Sequence, residues 1–281
     1  SGVTVEECIN ISKRVGARVG KELNIPIYLY EKSAQKPERK KLPNIRKGEY
    51  EGLADKLLND EWSPDYGPKT VHEKAGATVI GCREFLIALN INLNTKDHRL
   101  ATDSAFELRE AGRSKRIPNS NSKNLLDGEI IRHDDGSPVN IPGMFKDVKG
   151  IGWYVDTFNR AQISINFNNY KVSTIHDVFD AACQLAKERG VRVTGSELVG
   201  LIPLKAMLMA GKHYLKKQNR SMGVPTNDII ECAVQSLGLN DVTPFVPNEK
   251  IIDFAVKRSK RPLISLTNED FLNECSTNSP A

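Results

Sequence analysis

Between Gly67 and Gly76 the chain reads GPKTVHEKAG, a short loop that gathers two glycines, two lysines, a carboxylate and an imidazole. Gly67 and Gly76 lack a Cβ and let the backbone approach a flat ligand, while Pro68 stiffens the entry. Lys69 and Lys74 supply positive charge suited to ligand carboxylates, although lysines in a loop are commonly just solvated. Thr70, Val71, Glu73 and Ala75 complete the segment, and His72 is its one imidazole. These ten residues read as one loop framed by its glycines. The sequence then turns apolar, with Asn90, Asn92 and Asn94 alternating with aliphatic residues.

Other chemistry-bearing patterns carry less. GSELVGL (195–201) imitates the start of a phosphate-binding loop but lacks its Lys and Ser/Thr, and GxGxxG, HExxH and GxSxG are missing. The adjacent His133, Asp134 and Asp135 diverge in extended chain and have no partner at ligand spacing, so no metal is expected. His72, His98, His133, His176 and His213 are singletons for which surface or helix-cap roles are expected, with His72 held open by its place in the loop. Five cysteines (Cys8, Cys82, Cys183, Cys232, Cys275), far apart and without CxxC, argue against a disulfide framework and a structural zinc site.

Composition is that of a globular protein: 281 residues, 39% hydrophobic and 27% charged. No apolar run approaches the roughly 18 residues of a membrane helix, and no leader pattern opens the chain, so a cytoplasmic protein without a membrane partner is expected. The net charge of +5 favours an anionic partner without identifying one. Six basic residues between Lys36 and Lys47 tempt a nucleic-acid reading. Interleaved aromatics are missing there, so a solvated loop is preferred and no nucleic acid is expected.

The periodicities then give the elements that must hold the loop. Thr4 and Glu7 have capping-box spacing, and Val5, Cys8, Ile9, Ser12, Val15, Val19 and Leu23 make a mostly apolar helical stripe. A strand in IPIYLYE and a helix over 49–58, with Leu53 and Leu57 inward, follow. From residue 85 the order is strand (85–93), helix (95–111), hairpin (GIGWYV and AQISINF), helix (174–190) and strand (191–199), with helices over 203–217 and 227–237 beyond. Strand, helix, strand, strand, helix, strand is the ferredoxin-like order, and the class is α+β. Residues 113–149, rich in Ser, Asn, Pro, Gly and charge, read as an insertion forming an exposed excursion. Residues 257–281 read as a ragged tail.

Four stretches, LPNIRKGEYEGLADKL, DYGPKTVHEKAGATVIGCREFLIALNINL, GIGWYVDTFNRAQISIN and TGSELVGLIPLKAML, resemble in this order the glutamate formiminotransferases, which also form the front of formiminotransferase-cyclodeaminase. The resemblance runs from about Gly2 to Val256, with the insertion as its main departure. It implies two similar α/β subdomains with folate between them: an N-terminal one represented in part by residues 1–84, and a C-terminal one over 85–256. It implies a one-carbon transfer in histidine breakdown. The formimino group passes from N-formimino-L-glutamate to tetrahydrofolate as co-substrate, without a metal, and a homodimer is left open.

The resemblance also places the family's folate-binding segment on Gly67 to Gly76 and its catalytic histidine in a motif upstream of this chain's first helix. The catalytic residue is therefore unknown here, and the chain alone is expected not to be a competent transferase. Two other readings stay open: a folate-binding protein without catalysis, and a basic RNA-binding domain, which lacks the aromatic strand signature.

Overall fold

The computed structural model describes residues 3–122 and 124–258, of the last two the backbone alone. The expected tail, apart from its first two residues, lies outside the described residues. The chain divides into two compact units, Ser1–Glu84 and Phe85–Ala281.

In the first unit, α1 (Val5–Glu22) starts on the expected capping box: Glu7 N donates to Thr4 Oγ1 and Thr4 N to Glu7 Oε2. Its packing face follows the expected stripe only in part, with Cys8, Ile9 and Val19 half-buried. Ser12, Gly16 and Gly20 are buried, whereas Val5, Val15 and Leu23 are exposed. Small residues win because the neighbouring chain comes too close for anything larger: a Cβ on Gly20 would stand 2.6 Å from Gly67 N. Next come β1 (Ile27–Glu31), α2 (Leu42–Arg46), α3 (Leu53–Leu58) and β2 (Thr78–Cys82), with β1 and β2 paired in parallel. The short β2 escapes sequence reading because its half-buried residues show no clean alternation. The helix expected from 49 starts at Leu53, since Gly48 and Glu49 both take positive φ. Leu53 and Leu57 do point inward, with Tyr28 and Ile45, in a small core.

The basic stretch is folded rather than simply solvated. Arg39 is 1% exposed. Its guanidinium pairs with Asp65 at 2.9 Å, donates to Glu61 O and Ser63 O, and lies 5.1 Å from the Tyr28 ring centroid. Lys56 Nζ donates to Asn44 O and Ile45 O, carbonyls of α2. A buried guanidinium with charged and carbonyl partners holds the connection against the sheet.

The second unit follows the expected order: β3 (Ile87–Leu93), α4 (His98–Leu108), four two-residue strands, β8 (Val148–Val155), β9 (Arg160–Phe167), α5 (Ile175–Glu188), β10 (Val193–Val199), α6 (Leu204–Lys217), α7 (Thr226–Leu237), α8 (Pro247–Lys250) and α9 (Ile252–Arg258). The sheet is antiparallel in the order β10-β3-β9-β8, the ferredoxin-like arrangement. Alternation sends Ile87, Leu89, Ile91 and Leu93 of β3 into one core with Ala101, Ala105, Val178 and Ala182 of α4 and α5. Among the described residues no helix is long and apolar enough to cross a membrane.

The insertion carries β4 (Arg113–Ser114), β5 (Arg116–Ile117), β6 (Glu129–Ile130) and β7 (Asn140–Ile141), paired as β4-β7 and β5-β6. Its root is tied by charge. Arg113 and Arg189 both pair with Asp103 and Glu107 of α4, in a network whose two guanidiniums are nearly buried.

Candidate active site

The loop from Gly67 to Gly76 closes on itself. His72 N donates to Gly76 O and Gly76 N to His72 O, and Ala75 N donates to His72 Nδ1 at 3.0 Å. The imidazole thus caps its own turn, and its Nδ1 lone pair is committed. Tyr50 Oη donates to Glu73 O, and its ring lies where a Cβ on Gly76 would meet Cδ2 at 3.1 Å. Gly67 sits at φ +83°, where a Cβ would strike Ile25 O at 2.2 Å. Its lack of a side chain serves the packing of the loop on its own unit. Lys69 Nζ lies 2.5 Å from Asp60 Oδ1, and this hydrogen bond holds the Asp60 carboxyl below the usual carboxylate range. Thr70, Glu73, Lys74 and Ala75 are exposed, and Pro68 and Val71 half-buried. Lys74 has no ion pair with another described residue.

A second set of polar groups lies in the other unit, on the sheet face opposite the helices. The register stacks Glu197, Asn90, Ser164 and Ile151 in one row across β10, β3, β9 and β8, and Gly195, Asn92, Gln162 and Trp153 in the next. Asn90, Asn92 and Gln162 are nonetheless buried. Their amides form a relay: Trp153 Nε1 donates to Gln162 Oε1 (3.0 Å), Gln162 Nε2 to Asn92 Oδ1 (2.8 Å), and Asn92 Nδ2 to Asp241 Oδ2 (2.9 Å). Arg160 Nη1 and Thr194 Oγ1 converge on the same carboxylate oxygen at 2.9 and 2.7 Å. Burial pushes the Asp241 carboxyl up, but the bonds from Thr194 and Asn92 and the Arg160 charge outweigh it and hold it low.

Each amide in the relay gives a hydrogen bond on one side and accepts one on the other, so rotation of any member would leave a partner unsatisfied. Beside it a concavity of about 500 Å³ is lined by Asn90, Trp153, Phe158, Gln162 and Glu197. Asn90 Nδ2 stands 3.4 Å from Glu197 Oε2, a long bond that leaves this carboxylate largely free. An exposed indole beside amides and a carboxylate can take a planar, polar-edged heterocycle. The alternating asparagines of β3 were the sequence signal for this face. Nothing in the sequence alone brings Gln162, Glu197 or Asp241 to them.

The histidines are not all singletons. His176 and His213 stack at 4.3 Å between centroids. Residues 37 positions apart meet only because α5 and α6 pack, so spacing could not reveal them. His133 instead starts a tight turn, accepting from Gly136 N, and Asp135 Oδ1 accepts from Ser137 N.

Comparison with known proteins matches residues 88–257 to the formiminotransferase domain and residues 1–83 to its N-terminal subdomain. The chain belongs to the formiminotransferase family. It is 39% identical over 285 residues to the formimidoyltransferase-cyclodeaminase of Dictyostelium discoideum, covering 99% of this chain and 48% of that protein. The corresponding protein of Mus musculus is 40% identical over 285 residues, covering 100% of this chain and 47% of the relative. The glutamate formimidoyltransferase of Streptococcus pyogenes serotype M1 is 35% identical over 217 residues, 77% of this chain and 62% of the relative. The chain spans about half the length of the first two relatives. The two matched subdomains are consistent with the α+β class.

Proposed function

We propose that this chain is the transferase part of a glutamate formimidoyltransferase, passing the formimino group of N-formimino-L-glutamate to tetrahydrofolate in cytoplasmic histidine degradation. The observation that carries the reading is the polar face of the four-stranded sheet, in a chain whose relatives are named for formimidoyl transfer. Trp153 offers a plane for the pterin, and Glu197 with the Asn90 amide offers partners for its edge. The loop from Gly67 to Gly76 is assigned to folate binding as well, with Lys74 as its uncommitted cation.

The reaction fixes what the protein must supply. N5 of tetrahydrofolate attacks the formimino carbon, forming a C–N bond. The tetrahedral adduct then collapses by breaking the bond to the glutamate nitrogen, giving 5-formiminotetrahydrofolate and glutamate. N5 loses one proton and the departing amine gains one, so one imidazole can serve both steps, typically contributing a factor of about 10² to 10⁴. None of the five histidines is assigned that role. His72 Nδ1 is occupied by a backbone amide, and His176 and His213 sit together between helices away from the polar face. The test is glutamate release from formiminoglutamate and tetrahydrofolate by the protein and by its Glu197→Gln variant. Turnover, reduced at least tenfold by Glu197→Gln, is expected. Folate binding without turnover would favour a non-catalytic binder, and activity abolished by His72→Ala would place the base in the loop.

A further inference from the structure

His176 and Asp177 lie in the first turn of α5 and His213 in α6, and one ligand-capable atom from each lies within 4.8 Å of the other two. What marks the cluster is unused bonding capacity. His176 is 8% exposed, and its buried Nδ1 has no hydrogen-bond partner. Asp177 Oδ2 accepts from Thr174 Oγ1 at the helix cap, but Oδ1 stands 3.9 Å from His176 Nε2, too far for a hydrogen bond. His213 Nε2 lies 3.1 Å from Asp180 Oδ2. An ionised carboxylate only accepts, so Nε2 is the donor and Nδ1 is the nitrogen left to offer a lone pair. A histidine that gives one ring N–H to a carboxylate and keeps the other nitrogen free is the usual arrangement around a metal-binding imidazole.

We propose that His176, Asp177 and His213 bind a divalent transition-metal ion of the zinc class, bridging α5 to α6, with Asp180 orienting His213. Two imidazoles and one carboxylate suit such an ion and leave one position for water. Bonds of about 2.0–2.2 Å at tetrahedral angles put ligand atoms roughly 3.3 Å apart, so the side chains must draw in by about 1 Å or so. Asp177, half exposed and on a rotatable arm, has room to do so. Asp180 is already compensated by Lys217 at 2.8 Å, which leaves Asp177 as the carboxylate that offsets the incoming charge. The positive end of α5 works against a cation there, so binding weaker than at a closed four-ligand zinc site is expected.

The experiment is titration of the metal-free chain with Co²⁺, read by its visible ligand-field absorption, followed by displacement with Zn²⁺. One Co²⁺ per chain, without thiolate charge-transfer absorption, is expected. Asp180→Asn should weaken binding by roughly 10–100-fold, as loss of an orienting partner does, and His213→Ala by more. Metal-free circular dichroism checks the fold of each variant. Should His213→Ala fail to fold, Asp177→Asn, on a half-exposed side chain outside the core, gives the same reading. Lack of binding by the unaltered chain, affinity unchanged in His213→Ala or Asp177→Asn, or a thiolate band from Cys8, Cys82 or another cysteine would each overturn the proposal.

Discussion

Lys69 and Lys74 are alike in sequence and unlike in circumstance. The Lys69 ammonium is paired with Asp60, whereas Lys74 is exposed and free of any ion pair with a described residue. If the loop binds the folate tail, Lys74→Ala should weaken polyglutamyl folate about five- to tenfold and monoglutamyl folate less, and Lys69→Ala should do less than either. Equal effects on both ligands in a binding titration would leave both lysines in solvent. Asp241 gives a second residue-scale prediction. Its carboxyl titrates below the ordinary value, so its stabilisation is complete above the unfolded pKa of about 3.9 and is lost as pH falls through the lower folded value. Asp241→Asn should therefore cost about 1–3 kcal/mol at neutral pH, and the difference from the unaltered chain should shrink in denaturant melts below about pH 4.

At the scale of elements, the insertion is more structured than its composition suggests. Low apolar content and many turn residues predict an excursion, yet β4-β7 and β5-β6 pair within it and Arg113 anchors it to α4. Its exposed stretch at 118–121 has no pairing of this kind. Limited digestion with subtilisin should cut between 118 and 137 before anywhere in β8, β9 or α5. First cleavage in the β8–β9 hairpin would contradict this. The same anchor makes Asp103→Ala costly, by about 3–5 kcal/mol in chemical melts, because two nearly buried guanidiniums would lose a shared carboxylate.

At the scale of the whole molecule, the two units differ in what holds them. The second has an extensive core between one sheet face and its helices, whereas the first has a small cluster of Tyr28, Ile45, Leu53 and Leu57, with Ile27 and Leu29 of β1 also buried, and a helix seated on glycines. Residues 85–258 expressed alone should unfold in a single cooperative transition, and residues 1–84 alone should not. A sharp melt from the shorter piece would show that the Arg39 network and the α1 contacts suffice without a larger core. The exposed Val5, Val15 and Leu23 of α1 are the apolar groups through which that piece should associate as its concentration rises.

Local rules were enough wherever a residue's role is set by its neighbours in the chain. The capping box at Thr4 and the period-2 alternation of β3 both read directly, because helix and strand geometry fix which face each side chain takes. The order of the elements alone predicted the ferredoxin-like sheet. Burial of Arg39, the glycine face of α1, the amide relay from Trp153 to Asp241 and the meeting of His176 with His213 were not legible in this way. Each depends on which distant segment comes to lie alongside, and a long polar side chain has the same local preferences whether it ends in water or against a partner. Only the packed structure decides between those two ends, because burying a polar group is tolerable only where its partners are already in place.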